Sequence, residues 1–334
     1  MMRKLLALFA ILGIGLALAA AWLVQDWQRF VDQPVNPDSE LVLWLPSGTS
    51  FPGLVRQLEH LGLANANLWH WQLWRRLHAP ALRAGEYRIA PGMRLEELVR
   101  VLESGRAVEH RFTIVEGWTT ARLREALAAD PRLRQLTAML DDDELMQRLG
   151  CENCAAEGRF LPETYFFTRP GSDLDLLQRA FADMNAALED IWANRQVDLP
   201  LNSPEELLVM ASIIERETGQ AGERAKVSGV FARRLELGMR LQTDPTVIYG
   251  MGDDFDGRLL RAHLRIDHPW NTYTRHGLPP TAIALPGRPS LEAAANPAPG
   301  TALYFVARGD GSHHFSDTLE EHNRAVNRYI RGRR

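Results

Sequence analysis

The chain has 334 residues, 46% hydrophobic and 24% charged, an ordinary globular composition long enough for two or three domains. Its formal net charge of −4 supplies no overall positive field, which argues against a nucleic-acid partner. Arg328, Arg331, Arg333 and Arg334 form a basic tail that reads as a solvated end rather than a binding arm.

The first element is a membrane anchor. After Arg3-Lys4, Leu5 to Val24 run without a charge, and about 20 residues at 1.5 Å each span roughly the 30 Å of a bilayer core. Arg3 and Lys4 are expected on the cytoplasmic side, with Trp22 and Trp27 near the far interface, so that everything after residue 30 lies outside the cytoplasm. Ala17-Leu18-Ala19 offers the alternative of a cleaved signal peptide. No cysteine follows the run, which argues against a lipoprotein. Residues 31–40 (VDQPVNPDSE) are polar and carry two prolines, as in a linker leaving a membrane.

One pattern then recurs three times: "LVLWLPSGTSFPGLVRQLEHLG", "GEYRIAPGMRLEELVRVLESG" and "FTIVEGWTTARLREALAAD". Each is a short β-prone run, a turn in which Gly48, Gly92 or Gly117 can take positive φ, and an amphipathic helix. Strand–turn–helix units of this size predict an α+β architecture. Residues 130–156 read as helical and acidic. "EGRFLPETYFFTRPGS" reads as a loop in which Glu157 and Glu163 flank aromatics, Tyr165 among them, that could line a groove. Cys151 and Cys154 lack two further ligands nearby, so no zinc site is expected, and whether they are joined stays open. A helix over 174–194 precedes "DLPLNSPEELL", where Ser203 is placed to cap the next helix with Pro204 at its first position.

That next helix, Pro204 to about Thr218, is apolar around most of its circumference and ends in Glu215-Arg216-Glu217. At 100° per residue, Glu217 lies about 50° from the centre of the apolar surface, Glu215 about 110° away, and Arg216 nearly opposite. Glu217 is therefore the better candidate for a desolvated carboxyl with a raised pKa, as a general acid near neutral pH requires. Glu215 is better placed to pair with a cation or cap a neighbour. A buried Glu217 could instead be paired with Arg224, Arg233 or Arg234. A second amphipathic helix follows and ends at Gly238. Beyond it, Gln242, Thr243, Asp244 and Thr246 crowd beside Tyr249, and Asn271, Thr272 and Tyr273 sit in a Pro-rich loop. Hydroxyls, amides and aromatic faces together suit a sugar polymer. Asp244 reads as a turn or hydrogen-bonding residue that rivals as a second acid.

The stretches "ASIIERET", "GERAKVSGVFARRLELGMRLQTDPTVIYGMG", "NTYTRHGLPPTAIALPG" and "LYFVARGDGSHHF…HN" resemble the YceG-like endolytic murein transglycosylases, from the anchor to near residue 330. The resemblance implies that Glu217, the second glutamate of the pair, is catalytic, with Glu215 supporting it. It places Glu157, Pro162, Thr164 and Tyr165 near the groove. It also implies a LysM-like module over 41–108 after an anchor (1–30) and a linker (31–40), and a catalytic domain over 109–334. The implied reaction cuts the MurNAc–GlcNAc β-1,4 bond within peptidoglycan strands without water, leaving 1,6-anhydro ends, and would end strand elongation. Partners implied are glycan strands, penicillin-binding-protein synthases and the membrane through a single-pass inner-membrane anchor, with the catalytic domain periplasmic. No cofactor or metal is expected: the histidines do not fit H-E-x-x-H spacing, and no G-x-S-x-G is present. Two alternatives stand beside this reading: a non-catalytic peptidoglycan-binding scaffold of the wall-synthesis machinery, and a hydrolytic muramidase using Glu217 with Asp244. The Asp310-Gly311 turn is expected to join strands over 303–307 and 313–316, with Asp317 and Glu320 capping the last helix.

Overall fold

A computed structural model describes residues 2–35, 39–63, 68–78 and 81–332, the side chains of Arg3 and Leu68 aside. Asn36, Pro37 and Asp38 of the expected linker, and Arg333 and Arg334 of the basic tail, lie outside the described residues. The chain divides into two compact units, one of residues 1–110 with 166–171, the other of 111–165 with 172–334.

The first unit begins with helix α1 (Met2–Val31). It is long and apolar enough to cross a membrane, and none of its most apolar stretch is covered by protein. Its last turns behave differently. Phe30 is 4% exposed, its ring 5.1 Å from that of Trp71, and Trp27 packs against Trp74 at 6.2 Å. Val35, within the expected linker, is buried and its N–H donates to the Met93 carbonyl at 2.8 Å. The last turns of the helix thus belong to the core of the first unit.

Next come β1 (Leu41–Leu45), α2 (Phe51–His60), α3 (Leu68–His78), β2 (Gly85–Ile89) and α4 (Leu95–Ser104). β1 and β2 pair antiparallel with Leu43 opposite Tyr87, and Leu43, Leu45, Tyr87 and Ile89 all face the core. The turns expected at Gly48 and Gly92 have φ of 77° and 74°, a region that only glycine enters without strain. Each is followed by a helix whose apolar stripe (Leu54 and Leu58; Leu98 and Leu102) closes the core. Helix α3 was not among the expected elements. It carries Trp71 and Trp74 into this core.

β3 (Glu109–Thr113) pairs with β4 (Thr164–Thr168), and α5 (Thr120–Ala128) completes the third strand–turn–helix unit, with φ 77° at Gly117. β4 corrects the reading of its segment as a loop. Its side chains alternate: Tyr165 and Phe167 are buried and Phe166 is exposed. Phe160 is buried too, so packing rather than groove-lining accounts for most of these aromatics. The helix expected over 130–156 shrinks to α6 (Asp142–Arg148). Pro131 lies in the segment before it, and the buried Asp173 carboxylate takes the N–H groups of Leu136 (2.8 Å) and Thr137 (3.0 Å), which fixes an irregular path there. Cys151 and Cys154 are joined as a disulfide.

The core of the second unit is helical: α7 (Asp173–Ala193), α8 (Pro204–Glu217), α9 (Arg224–Glu236), α10 (Asp244–Met251) and α11 (Arg288–Ala295). Ser203 caps α8 by accepting the Glu206 N–H, with Pro204 in the first turn, and α9 closes into Gly238 at φ 64°. Leu207, Leu208, Met210, Ala211, Ile213 and Ile214 are all at most 1% exposed, so α8 is the central rod. β5 (Tyr304–Ala307) and β6 (His313–Ser316) form the expected hairpin, and α12 (Leu319–Val326) follows. The cap of α12 is one residue later than expected: Thr318 is N-cap and Glu321 the partner three residues on, not Asp317 and Glu320. Both pairs fit the same spacing rule, and the threonine hydroxyl takes the place.

Because Trp27 and Phe30 belong to the core of the first unit, a chain beginning at Gln25 should melt like the full-length protein in detergent. One beginning at Asp32 should lose about 3 kcal/mol or more in that unit, the cost of deleting a buried aromatic. Thermal unfolding followed by tryptophan fluorescence reads the difference.

Candidate active site

Two residues at the end of α8 have opposite fates. Glu215 has a side chain 6% exposed, 3.7 Å from Arg224. Its carboxylate accepts the Gly287 N–H at 3.0 Å and the Ser290 hydroxyl at 2.7 Å. Gly287 is the N-cap of α11 and has no side chain to satisfy the helix start. Glu215 therefore serves as a cap supplied by a different helix, and the negative charge suits a helix N-terminus. Arg216 is exposed and donates to the Gly117 carbonyl at 3.1 Å.

Glu217, two positions on, turns to the other side. One of its carboxyl oxygens accepts a short hydrogen bond from the Thr243 hydroxyl. The other has no hydrogen-bond partner among the described residues, and no lysine or arginine there pairs with it. Arg224 goes to Glu215 and Glu116, while Arg233 and Arg234 bind backbone carbonyls. Burial pushes the Glu217 pKa up to about 7; the Thr243 bond opposes the rise, the Asp244 charge adds to it, and His313 counters it.

Thr243 is held by a cluster of hydroxyls. Its N–H donates to Thr272 Oγ1 at 3.1 Å, Thr246 Oγ1 lies 2.9 Å from Thr272 Oγ1, and the Thr246 hydroxyl donates to the Thr243 carbonyl at 2.8 Å. The preceding residue, Gln242, sits at φ 52°, rare for a side chain with a Cβ. It is kept there by the Thr272 carbonyl, which accepts the Gln242 N–H at 3.2 Å. The buried Arg234 guanidinium donates to the Leu241 carbonyl (2.9 Å) and the Leu303 carbonyl (2.7 Å), tying this loop to the hairpin. Asn271 is 2% exposed; its amide donates to the Ile266 carbonyl at 2.7 Å and its oxygen accepts the Tyr273 N–H at 2.8 Å. The Tyr273 hydroxyl in turn donates to Asp244 at 2.6 Å.

These groups surround a cavity of about 360 Å³ lined by Glu217, Gln242, Asp244 and Tyr273 together with Arg234, His313 and His322. A second cavity of about 650 Å³ holds Glu157 and Tyr249, with Trp270, His268 and Arg216 in its walls. The walls of the two meet at consecutive residues in two places, Arg216/Glu217 and Asp244/Pro245. Glu157 accepts the Thr120 N–H at 2.9 Å. Burial raises its pKa to about 7 against that bond and one from Tyr249. Trp270 is anchored through its indole N–H to Thr281 at 3.0 Å, with Tyr249 5.8 Å away ring to ring.

Of the residues expected at a site, Glu217, Gln242, Asp244 and Tyr273 share one cavity and Glu157 and Tyr249 the other. Glu215, Thr243 and Asn271 stand behind the walls as supports. Glu163 and Tyr165 line neither cavity: Glu163 caps its own neighbour's N–H at 2.9 Å, and the Tyr165 hydroxyl donates to the Leu161 carbonyl at 3.0 Å. Arg234, Trp270, His313 and His322 were missed. Arg234, His313 and His322 lie in stretches that drew attention and Trp270 immediately before one, but nothing local says which side chain faces a cavity. Among the described residues no cluster of His, Cys, Asp and Glu could hold a metal ion.

The sequence profile of the YceG-like family matches residues 43–328. A protein of Bacillus subtilis (strain 168) named endolytic murein transglycosylase is 33% identical over 319 residues, 89% of this chain and 88% of that protein. A protein of the same name from Streptococcus pneumoniae serotype 2 is 25% identical over 95% of this chain but only 64% of its own length. The crystal structure of a YceG-like protein from Listeria monocytogenes, 28% identical, superposes with a TM-score of 0.55 over 86% of this chain and 99% of that one.

The contrast between the two glutamates predicts different losses. Glu215→Ala strips partners from Gly287, Ser290 and Arg224 at once and should cost about 1.5–3 kcal/mol, the range for hydrogen bonds to a charged group. Glu217→Gln keeps an acceptor for Thr243 and should change stability by less than about 1 kcal/mol. Denaturant titration of the two variants separates them.

Proposed function

Because the chain belongs to the YceG-like family, we propose that it cuts murein glycan strands by a lytic transglycosylase reaction in which Glu217 is the general acid and then the general base. The chain is a murein transglycosylase, a carbon–oxygen lyase acting on peptidoglycan. The finer reading is carried by one observation: Glu217 is a desolvated carboxyl at a cavity wall, with one oxygen held by Thr243 and no lysine or arginine paired with it among the described residues.

In the protonated form, Glu217 gives its proton to the glycosidic oxygen between MurNAc and GlcNAc as the C1–O bond breaks. The carboxylate then takes the proton of the MurNAc 6-hydroxyl while O6 bonds to C1, leaving a 1,6-anhydro end. Both steps return the enzyme to its starting state, so one carboxyl suffices where ordinary glycosidases use two. One oxygen of Asp244 accepts the Tyr273 hydroxyl, which favours an orienting role over that of a second acid. Gln242 and Tyr273 supply polar contacts to the sugars at the cut. Glu157, Tyr249 and Trp270 hold the adjoining sugars in the second cavity, where aromatic faces meet the apolar faces of pyranose rings. A strand cut internally needs saccharide on both sides of the bond, and two cavities lined at two places by consecutive residues suit that need.

The paired strands and the β1–α2–α3–β2 order support reading residues 41–108 as a LysM-like module that retains the enzyme on glycan. The apolar α1 supports a single-pass inner-membrane anchor with the catalytic domain in the periplasm. From there the enzyme reaches strands emerging from penicillin-binding-protein synthases and ends their elongation.

Mass spectrometry of glycan strands digested by the native protein should yield anhydro ends. Reducing ends would mean a hydrolytic muramidase, and no products a binding scaffold. Glu217→Gln should lower turnover by about 10²-fold or more. With a carboxyl pKa of about 7, the acid form is present below that pH, so kcat/KM should fall as pH rises through it. Glu157→Gln should raise KM and leave this limb in place, although Glu157 titrates in the same range.

A further inference from the structure

Glu223 and His313 are 90 residues apart in sequence and joined by three contacts. The Glu223 carboxylate, in the short turn before α9, accepts the His313 N–H at 3.0 and 3.2 Å and lies 2.7 Å from ring nitrogen Nδ1. Their side chains are only 16% and 11% exposed. The backbone bond alone would anchor the start of β6. The ring bond does something more: it fixes the imidazole at the wall of the cavity that His313 lines with Glu217. The edge of the Phe305 ring system, 5.4 Å away, packs against the same imidazole. Burial alone would raise the Glu223 carboxyl, yet its bonds to His313 and the Lys226 charge hold it below the ordinary carboxylate range. The Glu223 carboxylate is thus a fixed anion 2.7 Å from Nδ1.

Resting on the reading of Glu217 as proton donor, we propose that His313 is a positioning residue for the reaction, an imidazolium locked by Glu223 that stabilises the Glu217 carboxylate in mid-reaction. The proton ledger is closed without it. The Glu217 proton goes to the glycosidic oxygen as C1–O breaks, the 6-hydroxyl proton returns to Glu217 as O6–C1 forms, and His313 keeps its own protons throughout. What His313 contributes is charge. A carboxylate appearing in a partly desolvated site needs a counter-charge, and among the described residues no lysine or arginine pairs with Glu217. The other charged and titratable groups at this cavity are Asp244, Tyr273, Arg234, Tyr304 and His322, with Glu223 and Lys226 behind His313. Arg234 is committed to backbone carbonyls, and Asp244 works in the opposite sense.

The test uses full-length protein on soluble uncrosslinked glycan strands, with pH profiles of kcat and kcat/KM for the native protein, His313→Gln, His313→Lys and Glu217→Gln. His313→Gln should lower kcat about tenfold or more and move the basic limb upward by about half a pH unit or more, because Glu217 loses its counter-charge. His313→Lys, which keeps a cation, should bring the limb back toward the native position. A slower His313→Gln with an unmoved limb, or a lysine variant no better than the glutamine one, overturns the proposal and leaves His313 as a strand anchor. If His313→Gln does not fold, the ring ¹⁵N shifts of His313 in the unaltered protein decide: an imidazolium at pH 7 is expected, and a neutral ring overturns the proposal. Full activity in Glu217→Gln would refute the underlying reading, a result distinguishable from failure at His313 alone.

Discussion

The rest of the site depends on the desolvation of one carboxyl. Helix α8 is apolar on nearly every side, so it can only be stable as the central rod of its unit, and its last residue is carried with it to the edge of the core. A glutamate there cannot be fully hydrated. Its neutral form is favoured, and near neutral pH it still holds a proton to give. The Thr243–Thr246–Thr272 hydroxyl cluster, the Arg234 clamp and the strained Gln242 backbone all serve to set the wall against which this carboxyl is held. Strain at Gln242 is of the kind that persists where surrounding structure over-determines it.

The neighbouring glutamate shows why burial alone does not make a catalyst. Glu215 is almost wholly covered, yet its carboxylate is taken up by an N–H and a hydroxyl, with a guanidinium 3.7 Å away. Two residues along a helix are about 200° apart in direction. That rotation is the difference between a side chain that caps α11 and one that faces a cavity. The same turn of helix thus supplies a capping carboxyl and, on the proposed reading, the acid of the reaction.

Much of this was legible in the sequence because it is local. Glycine-punctuated strand–turn–helix units, the Ser203-Pro204 start of α8, the Gly238 stop of α9 and the 303–316 hairpin depend on a few adjacent residues. The facing of Glu217 and Glu215 followed from helix periodicity. What escaped is what tertiary contacts decide. Helix α3 has tryptophans and arginines interleaved without a clear apolar stripe. β4 was hidden between prolines, and the path of 130–141 is set by Asp173, more than 30 residues downstream. The Glu223–His313 pair and the division of the polar residues between two cavities are long-range facts of the same kind. Glu163 and Tyr165 belonged to a stretch rightly noted for its acids and aromatics, but strand alternation and packing, invisible in composition, turned them away from both cavities.

The central claim, that Glu217 is held as an acid near neutral pH, can be read directly. Carboxyl ¹³C NMR of glutamate-labelled protein, assigned by the signal lost in Glu217→Gln, reports its titration without any substrate. The account predicts a midpoint near 7. A midpoint in the ordinary glutamate range, near 4.5, would show a carboxylate already ionised at working pH and would contradict the account.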